Sequence, residues 1–173
     1  MSDPVTFRAA TIADAESLGT VMAEAFAGYY AFAPAGWTPP TREREAGRMR
    51  ELLDDDEVWC RVAEARGQVV AQVTIMPATQ AVHPADDPKL AHLRNLFVAQ
   101  DFWGTGLASE LDTAGLEAAR ERGYDRIRLF TPAGHGRARR FYEREGWVVA
   151  SEPTFDTGLG MEFVEYRFTL TAG

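Results

Sequence analysis

Hydrophobic and polar residues change period several times along the chain, and each change marks an element. Val5 to Ala9 reads as a short strand. Thr11, with Asp14 three residues on, is a helix start. Ile12, Ala15, Leu18, Met22 and Ala25 follow at helical spacing, so this helix is predicted to end near Phe26. A loop dense in aromatics, Gly28 to Trp37, precedes a polar helix from Thr41 to Leu53 that carries many of the arginines. The period then becomes two. Val58 to Ala65 and Val69 to Met76, joined by Arg66-Gly67, read as a hairpin. A polar loop, Pro77 to Lys89, separates it from a strand at Leu90 to Val98.

From Gly106 to Arg122 the helical period returns, with Leu107, Leu111, Ala114 and Ala118 on one face and Gly123 as the stop. Ile127 to Phe130 is a short buried strand. Arg137 to Glu145 is a short helix ended by Gly146, and Trp147 to Ala150 and Phe163 to Leu170 are terminal strands around a loop with Pro153 and two glycines. The order is α+β in character: an antiparallel meander, then one βαβ crossover that makes the strands ending at Val98 and Thr131 parallel neighbours.

Composition narrows the class. The chain has 173 residues, a length for one domain, and chains of this size bury roughly 70% of the surface they expose when unfolded. A hydrophobic share of 46% with 25% charged residues excludes a disordered chain. The net charge of −8 argues against a nucleic-acid or anionic-membrane binder. No apolar run approaches the ~20 residues of a membrane helix, and the start of the chain shows no basic-then-apolar leader pattern. A cytoplasmic protein is the expectation. The single cysteine, Cys60, excludes an intramolecular disulfide and falls on a buried strand position. Lys89 is the only lysine among 18 basic residues, so any side-chain cation at a phosphate must be an arginine.

The most informative stretch runs from Leu96 to Ser109. A strand ends at Leu96-Phe97-Val98. A glycine-rich turn with Trp103, Gly104, Thr105 and Gly106 follows, and a helix opens at Leu107, Ala108 and Ser109. The N–H groups of a helix start have no internal partner and sit at the positive end of the helix dipole, which suits a phosphate. A P-loop needs a lysine that is missing here. A Rossmann fingerprint fits poorly, since Asp125 lies at the start of the next strand rather than at its end. A pyrophosphate loop of another kind, holding coenzyme A, and a merely tight turn remain.

These residues resemble the central motif of the GNAT family of N-acetyltransferases. Val98, Trp103, Gly104, Gly106 and Ala108 fall on its frame, with Gln100 in place of the usual proline and Trp103 in place of the usual Arg or Gln. A second match follows at the right distance in Ala138, Phe141, Tyr142, Gly146 and Trp147, with His135 where asparagine is usual. Phe7 to Thr11, with Asp14, is similar to the family's first strand and helix, so the resemblance spans nearly the whole chain.

The resemblance implies a single domain over residues 1–173 with a mixed, largely antiparallel central sheet flanked by helices, the βαβ crossover carrying the coenzyme site. It implies acetyl-CoA as cosubstrate, with Leu96 to Val98, Trp103 to Ser109 and His135 around it. The amine of a small molecule would be the acceptor. A peptide N-acetyltransferase and a non-catalytic acyl-CoA-binding module are the alternatives.

Tyr142 matches the tyrosine placed near the thioester sulfur. It either donates a proton to the leaving thiolate or packs beside Phe141. His92 on the central strand is either a general base or a hydrogen-bonded strand residue, with Glu165 and Glu24 as other candidates for the base. Arg137 either meets a coenzyme phosphate or lies on a solvated helix face. Tyr29, Tyr30, Phe32 and Trp37, with Phe155, either hold a cationic or apolar amine or fold onto the core. No metal site is expected from His83 and His92, and edge strands of such a sheet allow a homodimer.

Overall fold

The computed structural model of the chain describes residues 3–170. Eight strands form one sheet: β1 (Val5–Ala9), β2 (Trp59–Ala65), β3 (Gln68–Pro77), β4 (Leu90–Val98), β5 (Arg126–Pro132), β6 (Val148–Val149), β7 (Thr154–Asp156) and β8 (Met161–Thr169). The order is β1-β2-β3-β4-β5-β8-β6, with β7 paired to β8. The first four strands form the antiparallel meander, and β4 and β5 are the one parallel pair. The four helices are α1 (Ala15–Ala27), α2 (Arg42–Leu53), α3 (Leu107–Glu121) and α4 (Gly136–Arg144).

The sheet is covered on both faces. One core joins Val73, Ile75, Leu93, Ile127 and Leu129 of the strands to Leu107, Leu111 and Leu116 of α3 and Tyr142 of α4. The other joins Cys60, Val62 and Met161 to Leu18, Met22 and Phe26 of α1 and Met49 of α2. Helices α1 and α2 approach closely at Gly19, where an added Cβ would stand 2.7 Å from the Arg42 carbonyl oxygen. The chain enters α1 through a short 3-10 turn in which Asp14 accepts from the Thr11 N–H at 2.8 Å and pairs with Arg8. Arg8 also reaches Glu64 at 2.9 Å, tying β1 to β2.

Three boundaries differ from the sequence reading. Trp147 is not a strand residue: its N–H bonds back to the Tyr142 carbonyl at 2.9 Å, and its indole donates to the buried Asp112 at 3.2 Å, so β6 is only Val148–Val149. The predicted loop around Pro153 contains β7, which pairs with β8 from Thr154 to Asp156. The aromatic loop starts as a 3-10 turn over Gly28–Ala31.

Two irregularities of β4 build the site. Its ladder with β5 covers only Leu90, Ala91 and His92, while its ladder with β3 runs on to Val98. The sheet therefore splits beyond His92, and β5 goes on with β8 as its antiparallel partner. Within the unzipped part the register to β3 slips: Thr74 faces Asn95 and Ile75 faces Leu93, so Arg94 is the extra residue of a β-bulge.

Candidate active site

The split between β4 and β5 opens toward both faces of the sheet, and each opening is a cavity. On the α3–α4 side lies a cavity of about 640 Å³. On the α1–α2 side lies one of about 580 Å³. They share Tyr29, Leu93, Arg94, Asn95, Phe97 and Phe130 as walls, so they meet inside the split.

The α3-side cavity runs from the end of β4 over the glycine-rich turn. Gly104 and Gly106 both have left-handed φ, 76° and 87°, a region open to glycine and strained for other residues. Gly106 caps α3, and the first helical bond is Glu110 N–H to the Gly106 carbonyl, 3.1 Å. The N–H groups of Leu107, Ala108 and Ser109 come before it and have no intrahelical partner. The turn's own side chains are turned inward on its carbonyls: the Trp103 indole donates to Val98 at 2.9 Å and the Thr105 hydroxyl to Phe102 at 2.6 Å. The backbone N–H groups are thus the chemistry the turn offers, which fits an oxyanion such as pyrophosphate.

Arg137, at the start of α4, lays its guanidinium on the Trp103 ring, 3.3 Å from the ring centre. This clasp links the α3 turn to α4 and places one cation at the wall of the cavity. Arg139 is structural: it donates to the Ala133 carbonyl at 3.1 Å and to the Tyr166 hydroxyl at 3.0 Å, and that hydroxyl donates to Glu143 at 2.7 Å. Ser109 bonds Glu145 at 2.6 Å, a further α3–α4 link. Leu96, Phe97, Val98, Trp103, Gly104, Gly106, Leu107, Ala108, Ser109, His135, Arg137 and Tyr142 all line this cavity; Thr105 does not.

Tyr142 is buried, and burial, with help from Asp112 and Tyr29, holds its phenol protonated far beyond neutral pH. Behind it, burial pushes the Asp112 carboxyl up to about 7 against the stabilising Trp147 N–H. His135 stacks on Phe32 with ring centres 4.8 Å apart and meets the edge of Tyr29 at 5.2 Å. Burial and Arg137 lower it to about 4, so it is neutral at pH 7.

The aromatics divide. Tyr29 lines both cavities, Phe32 the α3-side one and Phe155 the other, while Tyr30 and Trp37 line neither. Trp37 instead donates to the Leu159 carbonyl at 2.6 Å and stacks on Tyr29.

His92 lines the α1-side cavity but lies in the last paired step of β4 and β5. It is buried, and it accepts from the Arg128 Nε at 3.4 Å. Burial, then Arg128 and Arg94, push it down to about 3. His92 is therefore neutral at pH 7 and a weak proton acceptor in this setting. Glu165, the other candidate, lines the same cavity, whereas Glu24 is exposed and outside it.

Sequence reasoning missed most of this second cavity. Arg44 and Arg48 of α2, Arg94 of β4, Arg128 of β5 and Arg167 of β8 all line it. An arginine at an inward position of a strand, as in Arg128-Leu129-Phe130, is the one signal that was available.

No helix among the described residues is long and apolar enough to cross a membrane, and no group of three or more metal-binding side chains occurs among them.

The class is set by an open mixed sheet that splits between its two parallel strands, with a strand–turn–helix unit at the split. Residues 22–147 match the model of the Acetyltransferase (GNAT) family, well over half of the chain, and the chain belongs to that family. A mycothiol acetyltransferase from Corynebacterium aurimucosum is 36% identical over 70 residues, 40% of this chain and only 23% of that protein's length. Solved structures with the same fold include the PaiA N-acetyltransferase of Thermoplasma acidophilum in complex with coenzyme A. Its TM-score is 0.74 at 16% identity, over 97% of this chain and 100% of that one. The yncA protein of Salmonella typhimurium, solved with its cofactor acetyl-CoA, has a TM-score of 0.72 at 16% identity, over 98% and 96%.

Proposed function

We propose that the chain, as one domain over residues 1–173, transfers an acetyl group from acetyl-CoA directly to the amine of a small molecule. The observation that carries this reading is the meeting of the two cavities where β4 leaves β5. A donor held on the α3 side and an acceptor entering from the α1 side come together there, a gain in proximity worth several kcal/mol in principle.

The turn from Trp103 to Ser109 receives the pyrophosphate on backbone N–H groups, with Arg137 as the added cation. Leu96 to Val98, past the ladder with β5, offer a strand edge to the rest of the coenzyme, save for the Val98 carbonyl that the Trp103 indole holds, and His135 with Phe32 offer an apolar wall. Acetyl-CoA supplies an activated thioester carbonyl. The neutral amine attacks it, the C–N bond forms as the C–S bond breaks, and the sulfur leaves against the Tyr142 hydroxyl. The buried, protonated Tyr142 phenol donates to the departing thiolate and regains its proton from solvent. The amine's proton passes to water in the α1-side cavity or to Glu165.

Thermal unfolding with and without acetyl-CoA tests the coenzyme. At ligand about 100-fold above the dissociation constant, roughly 2.7 kcal/mol of stabilisation is expected. Thiol release across a panel of primary amines tests the transfer. Absence of any stabilisation by acetyl-CoA overturns the reading at its root.

A further inference from the structure

The α1-side cavity carries charge of one sign in excess. Five arginines line it, Arg44, Arg48, Arg94, Arg128 and Arg167, against three carboxylates, Glu45, Asp156 and Glu165. Its two histidines add no anion. In a chain of net charge −8, this is a local reversal.

The three carboxylates are already engaged. Glu45 is 3.5 Å from Arg48, Glu165 is 3.1 Å from Arg167 and 4.0 Å from Arg128, and Asp156 pairs with His83 at 2.5 Å. Arg44 and Arg94 are left over: among the described residues neither guanidinium has a hydrogen bond or an ion pair, but Arg44 is exposed on α2 whereas Arg94 is largely desolvated. It lies at the β4 bulge, on the wall common to both cavities. Burial and the nearby Arg48 lower its pKa, only partly offset by Glu45 and Asp156. The buried Nε of Arg167 also has no partner. A desolvated cation without a counter-charge is costly, and an anion reaching Arg94, with the free Nε of Arg167 as a further donor, relieves that cost.

We propose that the acceptor is an amine that carries an anionic group, a carboxylate or a phosphate, held by Arg94 with Arg167 beside the point where the cavities meet. The inference rests on the acetyl-transfer reading and names its substrate class. It replaces the expectation of a cationic or apolar amine held by aromatics. The same excess of positive charge acts on the reacting nitrogen. It favours the neutral amine over the ammonium, which lessens the need for a strong base where His92 is a weak one.

The test is a set of matched pairs assayed by thiol release: phenylalanine against its α-carboxamide, glutamate against its diamide, and phosphoethanolamine against ethanolamine, with spermidine as a polycation. The expected result is a kcat/KM about 10-fold or more higher for the charged member of at least one pair, the size set by a charge-assisted contact. The two kinds of pair tell a carboxylate from a phosphate. The Arg94→Gln variant is expected to raise the KM for that anionic amine about 10-fold more than the KM for its neutral partner, so that the preference between the two members of the pair is lost. Arg94→Lys recovers part of the loss.

A second measurement needs neither turnover nor a variant. Binding of N-acetylphenylalanine, N-acetylglutamate and N-acetylphosphoethanolamine to the coenzyme-A-saturated protein is compared with that of their neutral counterparts. Tighter binding of an anionic product supports the proposal. Equal binding, no binding, or preferred turnover of neutral amines or spermidine overturns it. Stabilisation by acetyl-CoA on the same preparation separates the failures. If it persists while the anion preference is absent, only the acceptor class is wrong; if it is lost, the acetyl-transfer reading falls as well.

Discussion

The two cavities meet at one gap in the sheet, yet they are built by different means. The α3-side cavity is built from backbone: an unzipped strand edge, two left-handed glycines and a helix start, with side chains turned onto the turn's own carbonyls. The α1-side cavity is built from side chains that reach in from α2, β4, β5 and β8. Backbone chemistry serves a ligand common to a whole family, because any side chain permits it. Side-chain chemistry changes with each substitution, so it sets what a particular member accepts.

The largest expected break in this contrast is Tyr142→Phe. A loss of about 10²–10⁴-fold in kcat is expected for removal of a general acid, with acetyl-CoA affinity within about threefold. Unchanged turnover would show that Tyr142 only packs.

Next comes the pH dependence of stability, because each cavity has a buried titratable group behind it. Folded His92 takes its proton near pH 3 against 6.5 when unfolded, so its contribution to stability is lost as pH falls through that window. Asp112 has the opposite sign: it takes its proton near pH 7 when folded and 3.8 when unfolded, so it adds stability as pH falls. The two slopes, each about 1.4 kcal/mol per pH unit at most, largely cancel in the wild type between pH 6 and 4. Denaturation of Asp112→Asn and His92→Gln by urea at pH 8, 6 and 4.5 separates them. The first variant should lose stability relative to wild type as pH falls, and the second should gain. Curves parallel to wild type would mean that neither group titrates as its burial requires.

A smaller effect is expected from Gly106→Val. Forcing a β-branched residue to a φ of 87° costs about 1–2 kcal/mol or reshapes the turn, and acetyl-CoA affinity should drop about 5–30-fold while a carboxylated product still binds. The smallest is Trp103→Ala. It removes an exposed cation–π contact worth about 0.5–1 kcal/mol, so coenzyme affinity should weaken about two- to fivefold through a less ordered Arg137. A larger loss would give the clasp more weight than its geometry suggests.

The backbone-built half was legible in the sequence because its signals are local. Gly104 and Gly106 lie between a strand and a helix within a dozen residues, and Ala138, Phe141 and Tyr142 share one short helix. The meander and the crossover were legible for the same reason. The α1-side cavity was not. Whether Arg94 points into a cavity depends on a one-residue register slip against β3, and nothing in Leu93-Arg94-Asn95 announces a bulge. The exit of β4 from β5 after His92 is a three-dimensional event between strands more than thirty residues apart. Trp147 read as a strand residue because it is large and apolar, but its indole N–H needed a buried acceptor and found Asp112.

Strand β8 has a consequence for the order in which the molecule is assembled. It pairs with β5, β6 and β7, and through Tyr166 it also fixes α4. On the ribosome, β1 to β4 can pair one after another as they emerge, since each meets its sequence neighbour. The other half has to wait. Until Met161–Thr169 is made, β5 has one three-residue ladder, and the helix that carries Tyr142 lacks its anchor. An emerging chain therefore leaves the α3-side half unfinished for the whole time between β5 and β8. That interval is where a chaperone or a misfolding partner would find it.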